Sequence, residues 1–182
     1  LLRTVHVLFG RFHTRHDYIS FTNFAPLLRA VSSAGSNIAR IAYGAEALQR
    51  ICASSPANAA ACAASGGVTV VATAITTALH SAASAATAAA LTNCVLALEP
   101  MLATQDGLAQ AAQCPTLVRA VLAVCRREDA GVATAASLRA VTWMSGDAAL
   151  QQQLYAAGGV LVLMAVVLRY EADAKSAEYA VA

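Results

Sequence analysis

The chain has 182 residues, 58% of them hydrophobic and only 12% charged, about half the charged share of an ordinary soluble domain, with a formal net charge of +2. That length and composition supply a sizeable core, and so small a charge excludes nucleic acid as an electrostatic partner. No signal peptide is visible, and five cysteines at irregular spacings leave one unpaired in any complete disulfide scheme, which favours a reducing, cytoplasmic compartment, with an organelle or a cytoskeletal assembly as the remaining alternatives.

Taken in order, "LLRTVHVLF" (1–9) reads as a helix with one charge in nine residues. In "RFHTRHDY", His13 and His16 have the i, i+3 spacing of a pair of metal ligands, but no further ligand beyond Asp17 is near, and the segment reads as solvated and mildly basic. A break follows in "FTNFAPLL" (21–28), where Pro26 suits the first turn of a helix. The next long helix carries Ile41, Ala45, Leu48 and Ile51 on one stripe and ends near 54 at Ser54-Ser55-Pro56. A short helix then meets the double glycine of "AASGGVTVV" (63–71), and Gly67 is expected to adopt a positive φ there.

A second long helix carries Ala88, Leu91 and Val95 and is expected to end near 98, with Glu99-Pro100 as its loop signal. "AAQCPTLV" (111–118) is a weaker version of the break. Cys114, just before Pro115, stands where helix amides lower a thiol pKa, or it simply replaces a turn glycine. Cys52, Cys62, Cys94 and Cys125 fall on alanine-like positions of apolar stripes. The cluster Arg126, Arg127, Glu128 and Asp129 reads as a solvated loop. A third long helix carries Ala135, Leu138 and Val141 and ends near 146 at Ser145-Gly146-Asp147; Trp143, the single tryptophan, is either core or an interface anchor. "AAGGVLVLM" (156–164) repeats the double glycine, with Gly159 again expected at positive φ, and Ala172 to Ala182 aligns with a further third helix.

These elements form a period. Val5, Leu48, Leu91, Leu138 and Tyr179 are separated by 43, 43, 47 and 41 residues, and "GAEALQRIC", "AAALTNCVL" and "AASLRAVTW" recur around the middle three. Each unit is a short helix, a sharp turn, a medium helix and a long helix; the units end near 54, 98 and 146, and a truncated last one spans 147–182. "VTVV" and "GVLVLM" are β-branched, but the period assigns them to helices. The chain opens without Met and stops inside an apparent helix, so an excerpt of a longer solenoid, poorly behaved in isolation, is expected.

On "SGGVTVV", "AAGGVLVLM" and "AAALTNCVL" the units resemble the armadillo repeat family, over nearly the whole chain. HEAT repeats are the near neighbour, but they have two helices per unit and favour Pro, Asp and Arg positions not found here. The resemblance implies an all-α fold: an armadillo-like, right-handed α-solenoid of about four repeats, the terminal ones incomplete. It implies a non-enzymatic scaffold for a protein or extended peptide within a larger assembly, without cofactor, metal or catalytic residues. Third helices of the family line a concave groove, and in nuclear-import adaptors a ladder of asparagines there binds peptide backbone, since an amide both donates and accepts. Asn93 matches that ladder, with Arg50 and Ala140 at the equivalent places, and Glu46, Ala89 and Ala136 stand where the family carries Trp. The groove residues implied are Glu46, Arg50, Asn93, Arg139 and Trp143.

Two other functions remain open: a nuclear-import-type peptide binder, and a membrane-associated adaptor using residues 51–98, which hold no Asp, Glu, Lys or Arg. The apolar runs Val68 to Leu79 and Gly158 to Leu168 are shorter than the roughly 20 residues that span a bilayer.

Overall fold

A computed structural model describes residues 23–127 and 131–181, with side chains to Glu171 and from there the backbone alone. The expectations on Val5, His13, His16, Glu128 and Asp129 lie outside the described residues. Among the described residues the protein is all-α: α1 (Ala25–Ser32), α2 (Ile38–Ser54), α3 (Pro56–Ala64), α4 (Gly67–Leu79), α5 (Ala85–Leu102), α6 (Gln105–Ala112), α7 (Pro115–Cys125), α8 (Gly131–Ser145), α9 (Ala148–Ala156) and α10 (Gly159–Val181), with no strand. The β-branched runs are helical, as the period requires.

The helices pack in three rows. Long helices α2, α5 and α8 lie side by side; α1, α4, α7 and α10 form a second row; short helices α3, α6 and α9 form the third. Each short helix meets its successor at a sharp corner, 79° between α3 and α4, 96° between α6 and α7, and 73° between α9 and α10. Side chains cap the starts of the long and short helices: Asn37 accepts from the Arg40 amide, Ser55 from Asn58, Ser84 from Thr87, Thr104 from Gly107, and Asp147 from Ala149 and Leu150. Each such cap is worth about 1 kcal/mol. Pro26, Pro56 and Pro115 occupy first turns, where no amide is missed.

The corners correct one expectation. Gly66 and Gly158, not Gly67 and Gly159, take the positive φ, at 91° and 74°. Gly67 and Gly159 instead begin the next helix, where a side chain has no room: a Cβ would stand 2.7 Å from the Cys62 carbonyl oxygen and 2.8 Å from that of Leu154. The double glycine therefore serves two needs, a left-handed residue and a close backbone crossing.

Three further expectations are revised. Pro100 lies inside α5, which runs to Leu102 instead of ending near 98, because Leu98, Met101 and Leu102 are fully buried and hold the last turn in place despite the missing amide. In α8 the buried positions are Ala133, Thr134, Ala136, Ser137, Ala140, Val141 and Met144, whereas Leu138 is only half-buried and Ala135 is exposed. The apolar stripe sits one residue away from the leucine that marks the period. Finally, α10 runs unbroken to Val181, so residues 172–181 continue the medium helix instead of turning back as a third one.

Polar ties join successive units. The Gln110 side chain of α6 spans the α3–α4 corner: its oxygen accepts from the Val68 amide at 3.2 Å and its amide donates to the Ala63 carbonyl. One unit on, Gln153 of α9 donates to the Ala112 carbonyl at 2.8 Å. Arg169 of α10 donates to the Cys125 and Arg127 carbonyls at the end of α7. Gln110 thus satisfies an amide at the start of α4, a helix without a side-chain cap of its own.

Gly67→Ala should cost about 1–3 kcal/mol, because the corner must open to admit the methyl group. Gln110→Ala should cost about 1–3 kcal/mol by leaving groups of the α3–α4 corner unpaired. Urea unfolding midpoints measure both, and a Gly67→Ala protein with the native midpoint would contradict the close crossing.

Candidate functional site

The solvent-facing side of the α2–α5–α8 row brings together the five residues singled out from the sequence. Arg50, Asn93 and Arg139 hold equivalent positions on the three long helices: each stands two residues past a buried residue (Leu48, Leu91, Ser137) and one before another (Ile51, Cys94, Ala140). Ala140 is fully buried, so the place equivalent to Asn93 belongs to Arg139, a correction that follows from the one-residue shift in α8.

Arg50, Asn93 and Arg139 each have a partner within the protein. Arg50 donates to Glu46 one turn earlier at 2.7 Å, and Arg139 reaches across from α8 to Glu99 on α5 at 2.8 Å. Both arginines are half-exposed, so neither pair contributes much to stability. The hydrogen bond to Glu99 holds the Arg139 guanidinium further above its usual range. Asn93 is half-buried, and its amide donates to the Ala42 carbonyl of α2 at 3.2 Å. Asn93 thus ties α5 to α2, and Arg139 ties α8 to α5. Of the asparagine's groups, the side-chain oxygen and the second amide hydrogen are left to address a partner.

Trp143 is 45% exposed, and Tyr43 on α2 and Val132 on α8 are exposed as well. The aromatic faces are thus accessible at both edges of the row. Sequence reasoning missed Glu99 and Tyr43. Glu99 had a signal: it is the one acidic residue between Glu46 and Asp106, so a cation on a neighbouring helix had few places to go. Gln110 and Gln153 also went unnoticed, although they stand one period of 43 residues apart.

The cysteines are all interior. Cys114 is the N-cap residue of α7, its sulfur 3.4 Å from the Thr116 hydroxyl. Burial pushes the Cys94 thiol up to about 12 and the Cys125 thiol up to about 11, the latter against the opposing pull of the Ser137 hydroxyl and the Arg169 charge. Cys52 is raised by its hydrogen bond with Cys62 and then by burial. Among the described residues no three His, Cys, Asp or Glu side chains gather as a metal site requires.

A raised thiol pKa makes the unfolded chain ionise first. These thiols therefore leave stability unchanged below the ordinary value of 9.0 and lower it as pH rises from there toward about 11 and 12. Urea unfolding across that interval should show the decline, and Cys94→Ala should flatten it. At neutral pH a thiol reagent should react slowly with the native protein and release five equivalents once it is unfolded. Rapid labelling of the native state would contradict the burial of the thiols.

No family model, curated protein or solved structure matches the chain.

Proposed function

We propose that the chain is an armadillo-like, right-handed solenoid that works as a non-enzymatic scaffold, binding a protein or extended peptide along the α2–α5–α8 row in the cytoplasm. The observation that carries this reading is the alignment of Arg50, Asn93 and Arg139 at one equivalent position on three successive long helices, flanked by exposed Tyr43 and Trp143. Three-helix units with a glycine corner support the armadillo likeness, and the rows formed by α2, α5, α8 and by α4, α7, α10 support unit-on-unit stacking. An extended peptide suits such a row because it meets one residue of each unit in turn.

The mechanism is presentation. Trp143 offers apolar area with little side-chain entropy to lose, and Asn93 offers a carbonyl to a peptide amide. Arg50 and Arg139 already hold carboxylates, so an acidic partner must displace Glu46 or Glu99 to gain from them.

A membrane-associated adaptor is the second reading, favoured by one observation: α5 is long and apolar enough to cross a bilayer, with a mean hydropathy of 1.4 over 18 residues. Half of that window is already buried against neighbouring helices. Resistance of the protein to carbonate extraction from membranes would favour this reading over the scaffold.

Proximity labelling with the whole protein in cells should yield a partner. Against it, Trp143→Ala and the double change Arg50→Ala with Asn93→Ala should each weaken binding by about tenfold or more, with helicity unchanged by circular dichroism. Unchanged affinity in both variants overturns this placement of the interface.

A further inference from the structure

We draw no further inference here: the strongest candidate, the exposed apolar face of α10 around Leu161, Met164 and Leu168, carries none because nothing in the structure shows what covers it.

Discussion

The fold depends on how closely α2 and α8 can approach α5. Ala90, Leu91, Cys94, Val95, Ala97, Leu98, Met101 and Leu102 of α5 are all fully buried, so this helix is enclosed on most of its circumference. Its neighbours answer with Ala45, Ala47, Ala136 and Ala140. Small side chains on both sides bring the helices close together, and dispersion between well-packed backbones then does what larger side chains do elsewhere. The charge-free stretch 51–98 follows from this position. Half of α3, α4 and α5 is buried, and the outer side of α4 takes its polarity from hydroxyls: Thr73 and Thr77 each donate to the carbonyl one turn earlier.

Close packing leaves the corners as the places where units must be specified. Each corner solves the same problem with different residues. Gly66-Gly67 and Gly158-Gly159 combine a left-handed residue with a close crossing, whereas the α6–α7 corner uses Cys114 at an ordinary negative φ followed by Pro115. The ties across units vary in the same way, a glutamine that both donates and accepts at one corner, a glutamine donor at the next, and an arginine at the end of α7. A unit keeps its geometry by satisfying backbone groups of the unit before it.

The sequence showed the prolines in first turns, the helix ends at 54 and near 146, and the stripe Ile41, Ala45, Leu48, Ile51, because each rests on local chemistry or on a 3.6-residue spacing. The details that escaped it are set by contacts between units. Which glycine of a pair turns left depends on what the other must pass, here the carbonyls of Cys62 and Leu154. Pro100 reads as a helix terminator until the burial of Met101 and Leu102 outweighs one missing hydrogen bond. Leu138 is the largest apolar residue of its window, yet the α5–α8 contact is so tight that Ser137 and Ala140 fit where a leucine would not. Of the site, all five chosen residues lie on the long-helix row, but the partners of Asn93 and Arg139 belong to neighbouring helices and have no local signature.

Those internal partners bear on how the two surfaces differ. On the long-helix row Arg50 and Arg139 each hold a carboxylate before any ligand arrives, so a new ion pair there replaces an old one and the net gain is a difference between two similar terms. Selectivity on such a surface comes from shape and from the exposed aromatics Tyr43 and Trp143, whose apolar area has no competing internal partner. The α10 face is the opposite case. Its side chains hold no internal contact on the exposed side, so covering them gains the full transfer of apolar area out of water, roughly 25 cal/mol per Å² before the cost of association.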